Sequence, residues 1–239
     1  SPNPQFDMTF RHLCCLGVLV SAALVSPSAQ ALEADVVDSK FASVTVLAPV
    51  TEAGELRPIT DVGMVAFFSP LAANLFAQGW RKKTGNKGEF RVAPLSLTEF
   101  EAAFLTARQK NDNLSKNYVP DPAQIPAAVG LQMQQGVTAQ QARVNAQQQP
   151  FIFCPDPLVR ITQKVENSSK TFVPCAFTFT SMALLVNRSN QDAKKPTILK
   201  AYSLQEMVQF LTNESGEDAR NLTIASPIAQ PQSQPSPSD

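Results

Sequence analysis

Histidine is almost missing from this chain. One residue of 239, His12, is a histidine, and it lies in a segment expected to be removed. Without it the chain cannot assemble a serine–histidine or cysteine–histidine nucleophile pair, or a histidine-ligated zinc site. Glycine is scarce, at nine, and the nearest approach to a phosphate-cradling loop, Gly85-Asn86-Lys87-Gly88, reads as a turn. Net charge is absent too: Lys+Arg is 20 and Asp+Glu is 20, so no long-range field gathers nucleic acid or an anionic surface. No Cys-x-x-Cys pair occurs, which argues against thioredoxin-type redox chemistry. Paired carboxylates remain available, but the sequence alone does not pair them. These absences give the expectation of a non-enzymatic protein with no cofactor, no catalytic residue, no metal site, no nucleic-acid partner and no small-molecule substrate.

What is present begins with an export pattern. Met8 opens it and Arg11 supplies the positive end. Leu13 to Val25 is an apolar run of thirteen residues, short for a bilayer span. Pro27 breaks it, and Ala29-Gln30-Ala31 places small residues where a signal peptidase reads. The expectation is a signal peptide over 8–31, cleaved between Ala31 and Leu32; the alternative is an uncleaved anchor. Cys14 and Cys15 leave with the peptide. Cys154 and Cys175 remain, and in an oxidising compartment an even pair is a disulfide candidate. The alternative is two buried thiols.

One stretch occurs twice. Ala66-Phe67-Phe68-Ser69-Pro70-Leu71-Ala72 is echoed by Phe177-Thr178-Phe179-Thr180-Ser181-Met182-Ala183, aligned as Phe68 with Phe179. Arg91 to Phe100 is echoed by Thr197 to Met207, aligned as Ser96 with Ser203. Each copy reads as strand, hydroxyl residue, helix, loop, strand, helix. Ser69 is a good N-cap with Pro70 at the first helical position. Ser96-x-x-Glu99 and Ser203-x-x-Glu206 are capping boxes. Behind them Leu97, Phe100 and Phe104, and Leu204, Met207, Val208 and Leu211, form one apolar stripe per copy, expected to be core. Arg81-Lys82-Lys83 before Gly85 is an anion site or, more simply, cations placed where a helix C-terminus favours them.

Phe41 to Val50 reads as the first strand, with Val44, Val46 and Leu47 inward. Leu158 to Val165 and Thr171 to Phe179 read as a hairpin turning over 167–170. Between the copies, Tyr118 to Ile125 is a proline-rich connector. A helix is expected near Pro126, carrying Val129, Leu131 and Met133, and Thr138-Ala-Gln-Gln141 begins another. Glutamine dominates from Gln124 to Gln149; it forms helix adequately but does not fill a core, so a surface helix pair or flexible bridge is expected. Leu131, Met133 and Val137, apolar in this polar stretch, are candidates for partner-binding surface, or else ordinary packing. Beyond 215 the chain turns polar and then rich in Pro, Gln and Ser, which predicts a disordered tail over 215–239. Five Asn-x-Ser/Thr triplets, at Asn113, Asn167, Asn187, Asn213 and Asn221, carry little weight. The expected fold is α+β. Two related strand-strand-helix-strand-helix halves, 41–110 and 150–211, lie around a pseudo-twofold and are joined by a helical glutamine-rich bridge, 111–149.

Three segments carry a family resemblance: Val65-Ala66-Phe67-Phe68-Ser69-Pro70-Leu71-Ala72-Ala73, Arg91-Val92-Ala93-Pro94-Leu95-Ser96-Leu97, and Tyr118-Val119-Pro120-Asp121-Pro122-Ala123-Gln124-Ile125. Over 41–211 the chain resembles the Tic-twenty-two family, the intermembrane-space component of chloroplast import and its cyanobacterial periplasmic relatives. The resemblance implies a chaperone-like factor in protein transport and outer-membrane biogenesis. Its implied partners are unfolded outer-membrane precursor proteins and an Omp85-type insertase. The implied location is the periplasm, the chloroplast intermembrane space or the thylakoid lumen. The alternative role is an accessory structural subunit of an envelope or thylakoid-lumen complex.

Overall fold

A computed structural model describes residues 32–85, 91–165, 168–191, 196–214 and 216–228. The expected signal peptide 8–31, with Ala29 and Ala31, lies outside the described residues, as do Asn86 to Phe90 of the glycine-flanked loop and 229–239 of the tail.

The first half starts with a helix, α1 (Ala34–Ala42), where sequence reading begins a strand at Phe41. Phe41 instead closes α1, and Val37 and Phe41, one turn apart, are its buried face. Strand β1 (Thr45–Val50) and strand β2 (Met64–Phe67) follow. Next come helix α2 (Pro70–Thr84), strand β3 (Arg91–Ser96), helix α3 (Leu97–Lys110) and strand β4 (Lys116–Val119). The order across this sheet is β3-β1-β2-β4. β1 runs antiparallel to both neighbours, and β2 runs parallel to β4.

A single 3-10 turn over Pro122–Gln124 leads into helix α4 (Ile125–Gln134) and then helix α5 (Ala139–Gln148). The second half is strand β5 (Phe151–Asp156), strand β6 (Ile161–Val165), strand β7 (Ser168–Ala176), helix α6 (Phe179–Ser189), strand β8 (Ile198–Ser203), helix α7 (Leu204–Asn213), helix α8 (Glu217–Asn221) and strand β9 (Leu222–Ala225). Its sheet runs β6-β7-β5-β8, with β9 beside β7. β5 is antiparallel to β8 and to β7, while β7 is parallel to β9. The β3-β1-β2-β4 order therefore recurs as β8-β5-β7-β9, with the same sense at each pairing, and β6 is an addition at the start of β7.

Local chemistry accounts for the element starts. Ser69 accepts from the Ala72 N–H at 3.0 Å, with Pro70 behind it. Ser96 and Ser203 each accept from the N–H three residues on at 3.2 Å, while Glu99 and Glu206 accept from their N–H groups at 2.7 Å. Helix α2 ends at Gly85, whose φ of 64° is the left-handed cap that glycine accommodates. Arg81, Lys82 and Lys83 sit in its last turn.

Three positions correct the sequence reading. β7 ends at Ala176 and α6 begins at Phe179, so Phe177, not Phe179, is the counterpart of Phe68. Thr178 then stands at the cap position that Ser69 holds. Residues 217–225, expected to be tail, form α8 and β9. Leu222 and Ile224 turn inward at a strand's period of two, and the pairing with β7 supplies backbone partners. Residues 168–170, expected to turn, open β7 in register with β6.

The core follows from alternation along the central strands. Val44, Val46 and Ala48 at β1, Met64 and Ala66 of β2, Ile152 and Cys154 of β5, and Cys175 of β7 face one common cluster, with Phe100 and Phe104 of α3 and Met207 and Leu211 of α7. Phe68 and Phe177 meet there with ring centroids 5.1 Å apart, one from each half. The opposite faces are covered separately. Val65 and Phe67 pack under Ala72, Ala73, Phe76 and Trp80 of α2. Phe151, Phe153 and Ala201 pack under Met182 of α6 and Ala128 and Leu131 of α4. Strands covered on both faces read as continuous apolar runs, as β2 and β5 do.

Candidate partner-binding surfaces

The helices that cover the outer faces are incompletely apolar-inward. On α2, Leu71 is 49% and Leu75 50% exposed; on α6, Leu184 is 57% exposed. Leu75 and Leu184 are separated in sequence by the same interval as Phe68 and Phe177, so they stand at corresponding positions of the two helices.

The three apolar residues singled out in the glutamine-rich stretch do not form one surface. Leu131 is buried in the cluster beneath α4. Met133, two residues on and so on another side of the helix, is exposed, and Val137 is half-buried beside a cleft. Leu131 is thus withdrawn as a contact residue: its methyls are already covered by the sheet.

Glutamines carry more of this region than expected. Gln132 is buried, because its amide is fully paired: Nε2 donates to the Ala128 and Ala142 carbonyls at 3.3 and 3.4 Å, and Oε1 accepts from Asn145 Nδ2 at 3.0 Å. A buried amide with partners costs little, and this one ties α4 to α5. Gln124 Oε1 accepts from the Phe179 N–H at 2.9 Å, capping α6 in place of Thr178, whose side chain caps nothing. Gln135 exchanges two bonds with the Ala201 backbone on β8. No sequence periodicity could have found these roles, since each glutamine bonds at least one group on another element of the fold.

Between α4–α5 and the start of α7 lies a cleft of about 290 Å³. It is floored by Phe151, Ala201 and Ser203 and walled by amides, among them Gln149, Gln205 and Gln209. Its one ionisable side chain, Glu206, is engaged with the Ser203 N–H. A second cavity, of about 40 Å³ between Arg57, Trp80 and Arg91, has room for little more than a water.

Cys154 on β5 and Cys175 on β7 form a disulfide within the common core. At the other sheet, Lys116 of β4 donates to Glu101 Oε2 at 2.5 Å and lies 5.0 Å from the Phe104 ring centre. Tyr118 donates to the same carboxylate. Desolvation first, and then the Glu101 charge, push the Tyr118 hydroxyl well above its ordinary value. Among the described residues no three His, Cys, Asp or Glu side chains gather as a metal ion requires, and no helix is long and apolar enough to cross a membrane.

No family model matches the sequence, and no curated protein matches it. Solved structures do. Anabaena Tic22, described as a protein of protein transport, aligns with a TM-score of 0.63 at 15% identity over 81% of this chain and 92% of its own. Tic22 from Plasmodium falciparum aligns with a TM-score of 0.55 at 12% identity over 79% of this chain and 90% of its own. Mixed α and β, with two sheets, the chain has a fold similar to Tic22, in agreement with the resemblance read from its motifs.

Proposed function

We propose that this chain is a non-enzymatic, chaperone-like factor of protein transport. It holds unfolded outer-membrane precursor proteins in transit and passes them to an Omp85-type insertase, in the periplasm or the equivalent intermembrane space. The observation that carries the reading is the fold shared with Anabaena Tic22 along most of both chains. The shared order β3-β1-β2-β4 and β8-β5-β7-β9, with the same pairing senses, supports a pseudo-twofold relation between two halves that extend past the expected 41–110 and 150–211 to take in β4 and β9, with α4 and α5 as the bridge. On that relation Leu75 and Leu184 are equivalent. A lone exposed leucine is ordinary; a matched pair on the two outer helices gives the body two apolar contact points for one extended client. A core disulfide suits an oxidising compartment. The balanced charge of 20 basic against 20 acidic residues suits clients recognised by apolar surface rather than by charge.

Co-precipitation from a periplasmic extract with the purified protein, residues 32–239, tests this. Unfolded outer-membrane proteins and an Omp85-type insertase among the partners support it. A single stoichiometric complex without such clients contradicts it and favours an accessory subunit.

A further inference from the structure

The outer edges of the two sheets are closed at the same place by different means. Leu47 of β1 stands between Phe67 of β2 and Pro94 of β3, and Phe153 of β5 stands between Ala176 of β7 and Ala201 of β8. Pro94 and Ala201 are therefore equivalent residues of the two edge strands. Proline has no N–H, so β3 cannot make a full ladder with a further strand at that point. Ala201 has one, and Gln135 answers it. The Ala201 N–H donates to Gln135 Oε1 at 3.1 Å, and Gln135 Nε2 donates to the Ala201 carbonyl at 3.3 Å. A carboxamide carries the same donor and acceptor as a peptide group, and this pair of bonds is the exchange that a residue of an added antiparallel strand would make.

The Gln135 carboxamide stands where the N–H and C=O of one residue of another chain would stand. It is exposed, at the C-cap of α4, and is followed by Gly136 at a φ of 91°. Beside it opens the amide-walled cleft, with a volume at the lower end of ligand pockets. Half-buried Val137 lends it apolar surface close to the β8 backbone, the combination that an extended segment with alternating side chains requires.

We infer that the β8 edge is a strand-addition site for an extended, uncharged polypeptide segment, and that Gln135 is the placeholder which the segment's backbone displaces. Amide walls recognise main chain rather than particular side chains, so the site accepts many sequences. The inference rests on the reading that the chain holds unfolded polypeptide, and it names where and by which groups.

The probe is a fluorescent, end-blocked peptide of alternating threonine and valine, followed by anisotropy against the protein and two variants. Gln135→Ala removes the competing amide and is expected to tighten binding several-fold. Ala201→Pro removes the edge donor, as Pro94 does in β3, and is expected to weaken binding about tenfold or more, the equivalent of one or two lost backbone hydrogen bonds. A peptide N-methylated at alternate residues is expected not to bind. If Ala201→Pro does not keep the parent circular dichroism, Gln135→Ala and the N-methylated peptide decide. Binding that is equal in all forms and insensitive to N-methylation overturns the β8 assignment while leaving client holding intact. Absence of peptide binding together with absence of captured precursors overturns both.

Discussion

Phe68 and Phe177 meet in the common core, one from each half, each no more than 3% exposed. Phe177→Ala is expected to lower unfolding free energy by about 3–5 kcal/mol, the range for a buried aromatic truncated to a cavity, read as a fall in the urea midpoint at unchanged slope. Leu184→Ser, on the outside of α6, is expected to stay within about 0.5 kcal/mol of the parent. The two changes thus separate a core role from a surface role. The chain's two tyrosines give a further residue-scale test. Burial is the first cause that raises both Tyr118 and Tyr202 above the ordinary value of 10.0. A hydroxyl with a raised folded-state pKa contributes stability that is fully present below the unfolded value and is lost as pH rises through the folded one. Stability should therefore fall above pH 10, with phenolate absorbance appearing later than in the urea-unfolded chain. Tyr118→Phe should flatten part of that fall. Coincident titration of the folded and unfolded chains would contradict the burial. The phenylalanines were legible in the sequence as an apolar echo, but their alignment was not. The doublet Phe177-Thr178-Phe179 offers two hydroxyl-flanked aromatics, and only the β7–β9 register identifies Phe177 as the strand's successor.

Elements were most legible where a local rule acts alone. The capping boxes of α3 and α7 and the Ser69-Pro70 start of α2 bind their own backbone, so four consecutive residues suffice to place them. Ser96→Ala and Ser203→Ala are each expected to cost about 1 kcal/mol, measured by urea unfolding. Elements that depend on distant partners were missed. Helix α1 opens without a side-chain cap bond, at Glu33, and is held by contact of Val37 and Phe41 with the common cluster. Strand β9 is four residues long within a polar stretch; its Leu222 and Ile224 alternation was present, but the parallel pairing to β7 that gives it meaning was not. The bridge was legible as helix and illegible as structure-bearing, because the Gln124, Gln132 and Gln135 amides bond carbonyls and N–H groups of other elements. The Cys154–Cys175 bond joins two neighbouring strands and closes a separation of 21 residues. Its removal by Cys154→Ala with Cys175→Ala should cost about 3 kcal/mol in the chain-entropy picture. Non-reducing mass spectrometry should find the two cysteines in one cross-linked peptide, and two free thiols there would contradict the linkage.

Across the whole molecule, two sheets share one core through helices α1, α3 and α7, while α2 covers one outer face and α4 and α6 cover the other. This arrangement places the outer leucines of α2 and α6 on the two outer faces and leaves the amide cleft beside β8. A client-holding factor should therefore lose function without losing stability when both leucines are made polar. Leu75→Ser with Leu184→Ser is expected to weaken client capture while the urea midpoint stays within about 1 kcal/mol, the sum for two independent surface sites. The most direct measurement is light scattering of a urea-denatured outer-membrane β-barrel protein diluted into buffer with the parent chain or that double variant. The parent is expected to suppress aggregation near equimolar ratio, and the folded double variant to do so poorly. An unchanged aggregation curve in the presence of excess parent protein would contradict client holding.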